Sequence, residues 1–239
     1  MIDVETVTLI TTFTCNAACA HCTVFSGPKR SDTLPDEDAR LVIEQAAHDP
    51  RIKMIAYTGG EPTLEYDRLL ALMAYARSLG LQAGLVSNSS WAVDMDVARV
   101  RFAEMIERGL TVYITSLDEY HLEYIELQTI RNALRAALET DVTTHLNLLW
   151  TPGYDEAIRK LPATLDLPPE VIDNRRLLVW LNRPSRTRNV RDLVPQGPLP
   201  FVDGNVAGPC DHINRHAGVL HWNGAEILDW YLSERGDKS

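Results

Sequence analysis

The N-terminus of this 239-residue chain lacks the marks of export. It opens Met-Ile-Asp-Val-Glu, with no basic segment and no apolar stretch after it, so no signal peptide is expected and the expected location is the cytoplasm. Long hydrophobic runs are also missing. The longest, around Leu69–Ala76, falls far short of a membrane span. Basic residues are in deficit, 23 Lys and Arg against 33 Asp and Glu, and the formal charge of −10 argues against general affinity for nucleic-acid phosphates or anionic lipid. Low-complexity runs and internal repeats are absent. Cysteine is scarce: of four, three fall between Cys15 and Cys22. A secreted disulfide scaffold would spread them, whereas clustering in a cytosolic chain points to metal. The hydrophobic share of 45% is ordinary for a globular protein, and the length suits one large domain with a short appendage.

Apolar, β-branched runs alternate with longer amphipathic segments. Val4–Thr11, Met54–Thr58, Gln82–Val86, Thr111–Ser116, Thr143–Leu149 and Leu177–Leu181 read as strands. Asp36–His48, Tyr66–Leu79, Asp94–Arg108 and Gln128–Glu139 carry helical spacing, with Gly80 and Gly109 as C-caps. A helix from Tyr154 is expected to stop at Leu161, before Pro162. This alternation implies right-handed βαβ units and a parallel sheet, either a partial barrel or an open doubly wound sheet. In both, chemistry sits beyond the carboxyl ends of the strands. Arg183–Pro209, rich in Pro and Gly, reads as loop, and Gly218–Trp230 as a hairpin turning at Asn223-Gly224.

Directly after the first strand stands Cys15-Asn-Ala-Ala-Cys19-Ala-His-Cys22, a C-x3-C-x2-C spacing. Three thiolates on one loop can hold three irons of a cubane and leave the fourth without a protein ligand. A tetrahedral zinc site would need a fourth ligand, which Cys210 could supply. The second strand ends in Tyr57-Thr-Gly59-Gly60-Glu61-Pro62, where two glycines let backbone groups approach a ligand closely.

The cysteine spacing followed by Gly-Gly-Glu-Pro resembles the signature of the radical S-adenosylmethionine (SAM) superfamily, over about the first 190 residues. The resemblance implies a partial (β/α)6 TIM-like barrel. It also implies one 4Fe–4S cluster on Cys15, Cys19 and Cys22, with SAM on the open iron and its amino group against Gly59, Gly60, Glu61 and Pro62. Reductive cleavage of SAM then gives a 5′-deoxyadenosyl radical that abstracts hydrogen from substrate. His21 departs from the family, which usually carries an aromatic residue there, near adenine.

The remaining strand ends extend the site. Ser87-Asn88 matches the family's Ser-Asn-Gly position, with Ser89 in place of glycine. Ser116 and Asp118 resemble its S-x-D motif, implying contact with the SAM ribose or substrate. Asp118 could instead cap the next helix. Tyr120 and His121 are candidate substrate-side groups, the latter able to exchange a proton near neutral pH. His145 and Asn147 alternate along the fifth strand and share a face, toward adenine or substrate, or as hydrogen-bonded core. Arg183, Arg186, Arg188 and Arg191 are the one basic concentration, and Arg186 stands where relatives meet the SAM carboxylate or an anionic substrate. A solvated loop is the competing reading.

Residues 1–182 are thus expected to form the barrel core, and 183–239 an extension over its opening. Gly-Pro-Cys210 resembles the start of an auxiliary-cluster (SPASM/twitch-like) region, but no cysteine follows, so one cluster is expected. Cys210 is then a buried thiol or faces substrate. The expected role is a tailoring enzyme for a small molecule or peptide, served by an external flavodoxin- or ferredoxin-type electron donor. Rivals are an activase of a glycyl-radical enzyme and a non-enzymatic metal-binding module.

Overall fold

The computed structural model describes residues 5–22, 24–149, 154–173, 176–182 and 200–203. Strands β1 (Thr6–Thr12), β2 (Met54–Gly59), β3 (Gln82–Val86), β4 (Leu110–Ser116), β5 (Thr143–Leu149) and β6 (Leu177–Asn182) pair in parallel, each with the next in sequence. Between and after them run α1 (Asp36–His48), α2 (Tyr66–Ser78), α3 (Met95–Glu107), α4 (Glu119–Leu122), α5 (Leu127–Leu138), α6 (Tyr154–Leu165) and α7 (Glu170–Asp173). A further strand, β7 (Pro200–Asp203), lies antiparallel on the other side of β1. The sheet therefore ends in β6 on one side and β7 on the other. It is an open α/β sheet of the partial-barrel type.

Two features correct the expectations. The segment read as loop contains β7, whose pairing from Thr6↔Asp203 to Leu9↔Pro200 covers an edge that β1 would otherwise expose. Pro200 takes the first position of that strand, where proline is tolerated. Helix α6 also runs past Pro162 to Leu165. Leu161 and Leu165, one turn apart, are both buried, so continuing the helix buries a second leucine. The helix ends in a Schellman arrangement: Asp166 takes a left-handed φ of 52°, its N–H reaches the Ala163 carbonyl, and the Leu167 N–H reaches that of Pro162. Gly80 and Gly109 follow α2 and α3 with φ of 86° and 100°, as the C-cap reading requires. The expected hairpin at 218–230, the four arginines and Cys210 lie outside the described residues.

Strand register sorts side chains onto two faces. Val7, Leu9, Ile55, Tyr57, Leu85 and Tyr113 are fully buried and pack with Val42, Ile43, Leu72, Met73 and Phe102 of the helices. The opposite face is only partly covered. It carries Thr8, Ile10, Ala56, Thr58, Val86, Val112, Ile114, Ser116, His145 and Asn147, paired in register across β1 to β5. An apolar floor with polar groups toward its β4–β5 end is a surface suited to a ligand.

Candidate functional site

Beyond β1 the chain makes an excursion that returns on itself. The Gly27 N–H donates to the Phe13 carbonyl and the Cys15 N–H to the Gly27 carbonyl, while Thr14 Oγ1 donates to the Arg30 carbonyl at 2.9 Å. Within it the Cys22 N–H closes a tight turn onto the Cys19 carbonyl at 3.0 Å. Cys15 and Ala17 pack beside Leu117, Leu146 and Leu148. Burial, with the nearby cysteines adding to it, pushes the Cys15 thiol up to about 11 and the Cys19 thiol to about 12. Thiols so placed ionise when a cation neutralises them, so metal uptake here releases protons.

The Gly59-Gly60 turn is what holds this loop to β2. The Gly60 N–H donates to the Thr12 carbonyl at 2.7 Å and the Glu61 N–H to that of Thr14 at 2.9 Å. A Cβ on Gly60 would stand 2.0 Å from the Thr14 oxygen, and one on Gly59, at φ 140°, 2.3 Å from the Thr12 oxygen. Glycine is required here by the approach of the cysteine loop itself, besides any ligand. Pro62 is buried and opens a 3-10 turn, Pro62–Glu65.

The Glu61 side chain, expected among the cofactor contacts, turns inward and is fully buried. Its Oε1 accepts from Thr63 N, Thr63 Oγ1 and Ser87 Oγ, and its Oε2 from Asn88 N. Burial pushes its pKa up by more than these donors pull it down. Ser87 is likewise committed: its oxygen accepts from Trp91 Nε1 and Ser89 N, so its proton must go to Glu61. Ser89 adopts the left-handed φ of 67° that glycine would take, and its buried hydroxyl meets Tyr113 Oη and Thr115 Oγ1, each at 2.6 Å. The Asn88 amide, in contrast, faces the cysteine loop, 2.8 Å from Asn16 Oδ1 and 3.7 Å from Cys15 Sγ.

For Asp118 the geometry realises the cap. Its Oδ1 accepts from the N–H groups of Tyr120 and His121 at the start of α4, and its Oδ2 from His121 Nδ1 at 2.7 Å. Burial pushes this carboxyl up, but the hydrogen bonds and charge of His121, together with His21, outweigh it and leave the pKa below its usual value. His21 joins the group: its ring lies 4.7 Å from that of Tyr120 and 5.1 Å from that of His121, with Nε2 3.8 Å from Asp118 Oδ2. Burial lowers the His21 pKa. Tyr120 and His121 therefore sit against the cysteine loop. The sequence marks His21 as a departure from the family but gives no sign of these ring contacts, and it does not single out Asn16. Asn16, inside C-x3-C, carried no signal of its partner 72 positions away.

On the open face Ser116 and Asn147 are register partners, and the Leu117 N–H bonds the Asn147 carbonyl at 2.9 Å. Burial pushes His145 down to about 4, so it is neutral near pH 7. Asn147 Oδ1 is buried without a hydrogen-bond partner among the described residues, as is His21 Nδ1. Buried polar atoms of this kind mark a place where a ligand's polar groups would be satisfied. Three soft thiol donors on one loop, beside that face, suit an iron–sulfur cluster with SAM next to it. Arg186 and Cys210 fall outside the described residues.

The family model for the radical SAM superfamily matches residues 9–191. Among curated proteins the chain is 30% identical over 138 residues to YydG of Bacillus subtilis, named for peptide biosynthesis, which covers 57% of this chain and 43% of that protein. It is 28% identical over 144 residues to GTP 3′,8-cyclase of Synechococcus elongatus, covering 56% and 41%. The chain thus spans less than half the length of these relatives. Two solved structures share the fold: methylornithine synthase (PylB), with TM-score 0.55, 14% identity and coverage of 76% of this chain and 54% of that one, and anSMEcpe with bound AdoMet and Cp18Cys peptide, with TM-score 0.53, 15% identity and coverage of 76% and 51%. At those identities the likeness concerns the fold alone. The family match spans most of the sequence, and the chain belongs to the radical SAM superfamily, whose cofactors are SAM and a 4Fe–4S cluster.

Proposed function

We propose that the chain is an enzyme that cleaves SAM reductively and abstracts hydrogen from a peptide or small molecule in a biosynthetic pathway. The observation that carries this is the docking of the cysteine loop, through Gly59 and Gly60, onto the carboxyl ends of the parallel strands. Cys15, Cys19 and Cys22 would hold the cluster. When bound, the cluster and SAM supply an electron and a 5′-deoxyadenosyl radical.

The protein's own part is binding, orientation and exclusion of water. The Gly-Gly turn presents backbone groups to the SAM amino acid moiety. Ser116, His145 and Asn147 offer polar contacts above the apolar floor, with His145 neutral and able to donate or accept. His21 provides a ring on the adenine side, while Tyr120 and His121 flank the substrate. Arg186 is the candidate partner of a carboxylate or anionic substrate, and Cys210 is either a buried thiol or a substrate-side group. An external flavodoxin- or ferredoxin-type donor supplies the electron. The name of YydG favours a peptide as substrate.

The test is anaerobic reconstitution followed by incubation with SAM and dithionite, with 5′-deoxyadenosine measured beside Cys15→Ala. Formation by the wild type and its loss in the variant are expected. No product from wild-type protein holding about four irons would sink the proposal.

A further inference from the structure

Cys15 differs from an ordinary ligand in what surrounds its sulfur. The Ala17 N–H approaches Sγ at 3.4 Å, and Asn88 Nδ2 stands 3.7 Å away. Sulfur is a large, diffuse acceptor, and these are hydrogen-bond separations for it. In the metal-free thiol the sulfur proton points to Asn16 Oδ1 at 3.9 Å. Binding iron removes that proton and leaves the sulfur an acceptor only, aligned with two N–H donors.

The Asn88 amide is not free to turn away. Its second N–H goes to Asn16 Oδ1 at 2.8 Å, its Oδ1 accepts the Ser90 N–H at 3.0 Å, and its backbone N–H is held by Glu61 Oε2 at 2.7 Å. The residue is buried, so water does not compete for the bond. Asn88 thus sets a donor dipole at the sulfur.

We propose that Asn88 is a positioning residue that raises the reduction potential of the cluster through an N–H···S hydrogen bond to Cys15. This rests on the cysteines holding a 4Fe–4S cluster, as above. Reduction by one electron adds negative charge that spreads onto the ligand sulfurs. A donor aimed at one of them stabilises the reduced form more than the oxidised form. Hydrogen bonds to sulfur are among the factors that set the potentials of such clusters. Removing the donor therefore makes the cluster harder to reduce.

The experiment is a redox titration by dithionite, followed by EPR, on anaerobically reconstituted wild type, Asn88→Ala, Asn88→Asp and Asn16→Ala, with iron and sulfide counted in each. Asn88→Ala should shift the reduction equilibrium about three- to tenfold toward the oxidised cluster, tenfold being 59 mV for one electron. Asn88→Asp, which replaces the donor by a charge of the wrong sign, should shift it further. Asn16→Ala removes only the amide's anchor and should shift it less than Asn88→Ala. Wild-type potentials in fully loaded Asn88→Ala and Asn88→Asp overturn the inference while leaving the proposed function standing. A wild type that takes up no iron sinks the proposed function itself. If neither Asn88 variant loads iron, wild-type protein carrying 15N in the asparagine side-chain amides decides. A 15N coupling to the reduced cluster in pulsed EPR supports the bond, and no coupling refutes it.

Discussion

Glu61 collects four donors from three residues, and each donor's direction is set by its own neighbours. Ser87 has no choice about its proton, since Trp91 Nε1 and Ser89 N already fill its oxygen. Such a set complements an ionised carboxylate, which accepts only. Glu61→Gln would turn an NH2 toward one of those donors. It is expected to lower stability by about 1–3 kcal/mol, read as a lower urea midpoint of the metal-free protein. An unchanged midpoint would mean that the carboxyl is protonated in the fold. At this scale the sequence was only partly legible. The three cysteines and the glycines announced themselves by spacing. The inward turn of Glu61 did not, because Ser87 and Asn88 lie 26 and 27 positions along the chain and arrive only when β3 pairs with β2. Asp118 shows the opposite case: a carboxylate just before a helix was open to reading as a cap, and a cap it is.

At the scale of elements, the site depends on how the end of β1 meets the end of β2. The first leads into the cysteine loop, the second into the Gly-Gly turn, and the two backbones touch with no room for a methyl group. Gly60→Ala would place Cβ 2.0 Å from the Thr14 carbonyl oxygen, against backbone that cannot swing aside. The loop must shift, at a cost of about 1–3 kcal/mol, and iron bound per chain after reconstitution should fall. Wild-type iron content with wild-type thermal stability would contradict this. Long elements were readable from period alone: β2 to β6 and the helices α1, α2, α3 and α5 fall within a few residues of expectation. Four-residue elements were not. The helices α4 and α7 and the strand β7 are too short to show a period, and each exists because of its neighbours. Helix α6 outran Pro162 because burial of Leu165 outweighs one missing backbone donor.

For the molecule as a whole, β7 raises the question of how far the first 182 residues stand alone. It lies against β1, the strand that delivers the cysteines, although nearly two hundred positions separate them. A chain ending at Asn182 is expected to keep the parallel sheet and to lose amide protection at the outer edge of β1, between Thr6 and Leu9. Hydrogen exchange followed by mass spectrometry would show it, and full protection there would mean that β7 does not guard that edge in solution. No described helix is long and apolar enough to cross a membrane. The family and the alternation of strands with helices were written in the sequence, because spacing, period and capping are properties of contiguous residues. The inward turn of Glu61, the left-handed Ser89, the seat of the cysteine loop and the pairing of Asn88 with Cys15, 73 positions apart, were not. Those depend on strand register and on which backbones come close enough to exclude a side chain, and both arise only when distant segments pack together.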